Sequence, residues 1–137
     1  MNLVGSVDTN ILVRLVTQDD VRQAKAVDRL MTRCAQDGQL LFVPATVVLE
    51  LEWVLRTQAG LGKAQFAQTM NALLFMVELS FESEQALEQA LLDYQEGSAD
   101  FAECLHVALG RAQAALPFWT FDRKAAKVAG AELLPYA

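Results

Sequence analysis

Apolar and polar positions follow one another along the chain in short blocks of two kinds, and the kinds take turns. Leu3-Val4-Gly5-Ser6-Val7 is a brief apolar run halted by Asp8-Thr9-Asn10, which predicts a buried strand feeding directly into a helix start. Asp19-Asp20 open a helical stretch to about residue 36, with Val21, Ala24, Val27, Leu30 and Met31 on one face and Gly38 as its left-handed cap. Residues 40–43 predict a second strand. Pro44 follows where a first helical turn loses nothing by lacking an N–H, and that helix runs to about residue 59. Gly60-Leu61-Gly62 turns the chain into a helix over residues 63–76, followed by a third strand over 77–81. Ser83 and Glu84 start a helix to about residue 96, and Asp100 starts another to about 115, which Pro117 prevents from continuing. The last blocks are a strand over 118–121 ending at Asp122, a short basic helix over 123–128 and a strand over 132–134.

Short strands alternating with helices predict an α/β fold whose central, mainly parallel sheet has four to five short strands flanked by helices. No repeat, low-complexity tract or linker interrupts the 137 residues, so a single domain over residues 1–137 is expected. The 53% apolar content supports a core, and 20% charged residues are too few for a disordered chain. No window approaches the roughly 18–20 apolar residues needed to span a bilayer. The N-terminus lacks the basic and apolar regions of a signal peptide, which predicts a cytoplasmic protein with no membrane association. Cys34 and Cys104 lie apart in apolar helical stretches and read as buried thiols of a reducing compartment. One histidine and two separated cysteines nearly exclude a dedicated zinc site. With 11 Lys and Arg against 17 Asp and Glu, the net charge of −6 argues against broad, nonspecific affinity for nucleic acid. It does not exclude a nuclease, because a carboxylate site makes its own protein acidic and bound cations restore attraction for phosphate.

The acids themselves carry the candidate chemistry. Asp8 and Asp122 each follow an apolar strand at once, at the carboxyl edge where open parallel sheets bind ligands. Either alone reads as a helix cap; the pair on one rim reads as a site. Glu50 has Thr46, Val47, Trp53 and Val54 one turn away and no basic partner at that spacing, so it predicts a carboxylate on an inward face that a metal would compensate. Glu52 has Arg56 four residues on and reads as a solvated surface pair. Asp100 and Glu103 project from one face of a first helical turn, a spacing that suits ligation and equally a capping box. His106 reads as a core histidine, and Trp53, Trp119 and the seven phenylalanines as core. Gly60-Leu61-Gly62-Lys63 lacks the Ser or Thr of a phosphate loop. Arg123, Lys124 and Lys127 read equally as a solvated face or as contacts to an RNA backbone.

Taken together these residues resemble the PIN-domain ribonucleases, in particular the VapC-type toxins of bacterial toxin–antitoxin pairs. Val7-Asp8-Thr9-Asn10 is similar to the opening acidic motif, and the stretch from Val43-Pro44 through Leu49-Glu50-Leu51 to the segment bearing the family's glutamate. Asp100-Phe101-Ala102-Glu103 resembles the third acidic motif and Thr120-Phe121-Asp122 the fourth. Position 103 holds Glu where this family commonly holds Asp. The resemblance implies cleavage of RNA phosphodiester bonds dependent on Mg²⁺, with Mn²⁺ able to substitute, in a homodimer restrained by a small antitoxin. It implies Asp8, Glu50, Asp100 and Asp122 as catalytic metal ligands and Glu103 as an accessory one. Asn10 and Thr120 become supporting or phosphate contacts. Hard cations prefer such oxygen ligands. Two other readings are another metal-dependent phosphoryl-transfer enzyme on an α/β sheet, with Asp8 as nucleophile, and a non-catalytic PIN-like binding module. Asn10 stands where a haloacid-dehalogenase-like enzyme has its second Asp, and the presence of all four acids disfavours a binding module.

Overall fold

Parallel strands need long crossovers, and the first half of the chain supplies two, each made of a helix pair. β1 (Asn2–Ser6) leads through α1 (Thr9–Val16) and α2 (Val21–Asp37) into β2 (Gln39–Val43), and β2 leads through α3 (Ala45–Gln58) and α4 (Lys63–Leu74) into β3 (Leu79–Phe81). The three strands form one parallel sheet in the order β1-β2-β3. Leu3 pairs with Leu40 and Gly5 with Leu41, with a shift of register between them, and Leu41 pairs with Leu79 and Val43 with Phe81. The computed structural model describes residues 2–17 and 19–136 of the chain. It divides into two compact units, Met1–Glu82 and Ser83–Ala137.

Within the first unit, Leu12, Val43, Val48, Leu51, Leu55, Met70 and Leu73 are almost fully removed from water. Each such side chain contributes about 1.5–3 kcal/mol by burial. α2 begins with the Asp20 side chain accepting from the Gln23 N–H at 3.0 Å, and ends at Gly38 with φ 62°, a left-handed conformation natural to glycine. β1 is exposed along its length rather than buried. β3, equally an outer strand of this sheet, keeps Leu79 and Phe81 buried, so edge position alone does not set burial.

In the second unit, α5 (Glu84–Glu96) and α6 (Phe101–Ala112) pack on each other, with Leu87, Ala90, Phe101, Cys104 and Val107 inside. Tyr94 meets Phe101 edge to face at 5.7 Å. β4 (Phe118–Thr120) and β5 (Ala131–Leu133) pair in parallel around a 3₁₀ turn, Ala125–Lys127. Gly130, with φ 101°, ends that connection where a Cβ would come within 3.1 Å of Arg111 and Leu116. Among the described residues the five short strands lie in parallel ladders, three in the first unit and two in the second. Both cysteines are buried. Among the described residues no helix is long and apolar enough to cross a membrane.

The aromatic residues divide, against the expectation that all are core. Phe66, Phe81 and Phe101 are buried, but Trp53, Phe75, Trp119 and Phe121 are more than half exposed. Aromatic rings occupy surface readily, because polar groups cannot cover a whole protein.

Candidate active site

In the first unit the Val7 N–H donates to the Phe42 carbonyl at 3.0 Å, prolonging the β1–β2 ladder by one bond. Asp8 is therefore the first residue past the carboxyl end of β1. It is exposed and caps α1, its Oδ1 accepting from the Ile11 N–H at 3.2 Å. Next to it, Thr9 is buried and its hydroxyl donates to Glu50 Oε1. That bond fixes the carboxylate of α3 to the first residue of α1, immediately beside Asp8. Asn10 is exposed and shares a groove of about 310 Å³ with Asp8, Arg14 and Gln23.

The structure corrects the assignment of faces on α3. Glu52 is the buried carboxylate, 5% exposed, and Glu50 lies at the surface. The buried stripe is Val48, Leu51, Glu52 and Leu55, and Trp53 stands outside it. Arg56 donates to Glu52 at 2.8 Å while staying about half exposed, so the pair has a dry carboxylate end and a wet guanidinium end. The pairing is as the sequence predicts; the solvation is the reverse.

In the second unit Asp100 is the N-cap residue of α6, yet its side chain makes no capping hydrogen bond. Its backbone carbonyl accepts from the Cys104 N–H at 3.1 Å. The capping box is not formed, and the exposed Asp100 and half-buried Glu103 bring two carboxylates to one helical turn. Asp122, exposed, closes the turn after β4: Oδ1 accepts from the Lys124 N–H at 2.8 Å, and its own N–H donates to Thr120 Oγ1 at 3.0 Å. Thr120 thus holds the backbone that carries Asp122. Arg123, Lys124 and Lys127 are all exposed. His106 is exposed rather than core, its ring stacked on Phe118 at 6.1 Å. It follows Glu103 by nearly one turn of α6, on the side where β4 supplies an aromatic surface.

The donor set is entirely carboxylate. Among the described residues no three His, Cys, Asp or Glu side chains are grouped so as to hold a metal ion. The two candidate carboxylates of the first unit and the three of the second still suit Mg²⁺, which retains several waters and commonly takes one or two protein carboxylates together with substrate phosphate. The fit is to a hard, hydrated cation.

Three contributors were missed in the sequence. Thr9 was visible only as part of a motif. Arg14 stands four residues after Asn10 on α1, and its guanidinium bonds Asp19 and Gln23 at 2.7 Å each beside the Asp8 groove. Glu82 follows β3 as Asp8 follows β1, so the rule of an acid after an apolar strand selects it too. Its Oε1 accepts from the Ala45 N–H at 2.7 Å, a cap for α3 that Pro44 does not provide.

A family model described as PIN domain matches residues 6–131, a stretch that enters both units. Among solved structures, the chain is similar to Mycobacterium tuberculosis VapC20, described as a sarcin–ricin loop cleaving toxin. The likeness has 19% identity and a TM-score of 0.41, over 96% of this chain and 99% of that one. No curated protein matches the chain significantly.

Proposed function

Since the chain belongs to the PIN-domain family, we propose that it is an endoribonuclease dependent on Mg²⁺ or Mn²⁺, and the toxin of a toxin–antitoxin pair. The observation that carries this reading is the hydrogen bond from Thr9 to Glu50. It draws a glutamate with no other evident task to the residue beside Asp8, and it spends a buried hydroxyl on holding it there. Asp8, Glu50, Asp100 and Asp122 are the proposed ligands, with Glu103 accessory to them. A hard cation bound by such ligands supplies Lewis acidity toward a phosphate oxygen and acidifies a coordinated water.

The remaining residues orient and attract. Thr9 keeps the Glu50 carboxylate in one position, and Thr120 fixes the turn that presents Asp122. Asn10 faces the groove it shares with Asp8 and is a candidate for phosphate contact. Exposed Arg123, Lys124 and Lys127 give a strongly acidic protein a local cationic stretch along which an RNA backbone can lie. The proposed assembly is a cytoplasmic homodimer, held inactive by a small antitoxin, acting as a single domain over residues 1–137. The experiment is cleavage of a mixed-sequence RNA by the purified protein, with Mn²⁺ or with EDTA. Cleavage that requires the cation and disappears in Glu50→Gln is the expected result. Cleavage indifferent to EDTA, or retained in Glu50→Gln, overturns the reading.

A further inference from the structure

The short sheet of the second unit leaves one face open to water. Side chains alternate across a strand, so Trp119 and Phe121 lie on one side of the β4 segment. Phe118 lies on the other, where its ring stacks on His106. In the parallel register Trp119 stands beside Glu132 and Thr120 beside Leu133. The Leu134 N–H donates to the Thr120 carbonyl at 2.8 Å, which carries the pairing one step past the strands. Leu134 and Tyr136 thereby fall on the side of Trp119 and Phe121. The rings of Phe121 and Tyr136 meet edge to face at 5.5 Å and 86°, forming a corner. Phe121 is 64% and Tyr136 83% exposed, so the corner opens outward. Contiguous apolar surface marks a docking site in a way that single exposed rings do not.

Charge selects the occupant. The second unit has four basic residues, Arg111, Arg123, Lys124 and Lys127. Arg111 donates to the Ala129 carbonyl. The other three follow Phe121 closely in the chain, all exposed and in no ion pair among the described residues. Glu132 shares the open face but sits at its Trp119 end. A polyanion whose units carry flat rings matches the cations and the corner together. Phe121 also directly precedes Asp122, so an occupant of the corner lies against the turn that presents that carboxylate.

We propose that the Phe121–Tyr136 corner stacks an unpaired base of single-stranded RNA, with Arg123, Lys124 and Lys127 along the adjoining phosphates. The proposal rests on the ribonuclease reading and adds to it the strandedness of the substrate. Inside a duplex both faces of a base are covered by its neighbours, so only an unpaired base offers its ring to an aromatic side chain. Every base has such a face, so the corner selects single strands without selecting sequence.

The test uses the full chain in EDTA, which separates binding from cleavage. Fluorescence anisotropy follows a short labelled RNA strand of mixed sequence, alone or annealed to its complement. The single strand should bind about tenfold more tightly than the duplex, the scale of one base stacked on an aromatic ring. Phe121→Leu keeps apolar bulk without the aromatic face, and should lose about tenfold on the single strand and little on the duplex. Phe121→Trp should restore the preference. Lys124→Gln should lower the salt dependence of binding by about one phosphate contact on either RNA. Equal binding of strand and duplex, or an affinity unchanged in Phe121→Leu, overturns the proposal. If Phe121→Leu instead turns a dimer into a monomer in sedimentation while RNA affinity stays the same, the corner belongs to a second copy of the chain and the proposal falls. If that variant does not fold, Tyr136→Leu takes its place with the same expected loss. Single-strand binding that depends on Phe121, without cleavage in Mn²⁺, keeps the corner and removes the nuclease reading. Equal cleavage of strand and duplex, undiminished in Phe121→Leu, does the opposite.

Discussion

A carboxylate has two oxygens, and at Asp8 and Asp122 one of them is already in use. Each Oδ1 accepts a backbone N–H and shapes the turn that follows its strand. Capping and ligation are therefore compatible in one residue, and the Asn and Ala variants separate them. Asn retains an acceptor at Oδ1 and caps as well as Asp, so Asp122→Asn should unfold in urea within about 0.5 kcal/mol of wild type. It should nonetheless lose roughly a hundredfold or more in cleavage, the scale of removing one preorganised electrostatic contact. Asp122→Ala should lose the same activity and about 1 kcal/mol of stability besides. Equal stability of the Asn and Ala variants would show that the turn does not depend on Oδ1. The placement of these two acids at strand ends was legible, because an acid directly after an apolar strand is a local signal; their function is not told by that signal, which selects the capping Glu82 as well. The solvation of α3 was not. A pattern reader places Trp53 inside and a charge outside, whereas the stripe Val48, Leu51, Glu52, Leu55 takes Glu52 inward with Arg56 reaching it from the surface. Glu52→Gln should consequently keep turnover near wild type, since its amide oxygen can still accept from Arg56. It should cost about 1 kcal/mol in the same urea experiment, the weight of a charge-assisted bond made neutral.

At the scale of elements, punctuation carries the sequence signal. Gly38, Pro44, Gly97 and Pro117 set the helix and strand limits to within a few residues, because each acts through its own backbone. Burial of a whole element is a different matter: β1 has the apolar run of an interior strand and is exposed along its length, while β3, equally at an edge of the sheet, keeps Leu79 and Phe81 buried. In sequence the start of α6 reads as capping or as ligation; Asp100 makes no side-chain cap, which removes the first and keeps the second as the proposal. Glu103→Ala should then change stability by less than about 0.5 kcal/mol, below the usual worth of a cap, while turnover falls. A loss of stability with activity retained would restore the capping box. The start of α3 depends on Glu82, which lies far away in sequence and bonds Ala45 across the sheet edge. No local pattern reveals such a cap. Because α3 carries Glu50, Glu82→Ala should cost about 1 kcal/mol and reduce turnover, whereas Glu82→Gln, which keeps the accepting oxygen, should rescue both. Failure of Gln to rescue would mean that the charge of Glu82, and not its hydrogen bond, supports the helix.

For the molecule as a whole, the acidic balance and the carboxylate candidates converge on one thermodynamic consequence. On the proposed ligand set, in a chain of net charge −6, a divalent cation should bind the folded form in preference to the unfolded one, where acids so far apart in sequence have no fixed arrangement. Mass action then raises stability by about 2.7 kcal/mol when the cation is at a hundred times its dissociation constant. Thermal melts of wild type in EDTA and in millimolar Mn²⁺ should differ accordingly. Asp122→Asn keeps its cap and sheds one charge, so in EDTA it should melt at or slightly above wild type. In Mn²⁺ it should gain little, because a ligand is gone. Glu50→Gln should behave alike, since the amide oxygen can still accept from Thr9 but binds the cation weakly. If Mn²⁺ raises all three proteins equally, the cation binds elsewhere on the acidic surface and these carboxylates are not its ligands. If Asp122→Asn falls well below wild type in EDTA, the charge of Asp122 stabilises the turn itself, and its role in the site gives way to a structural one.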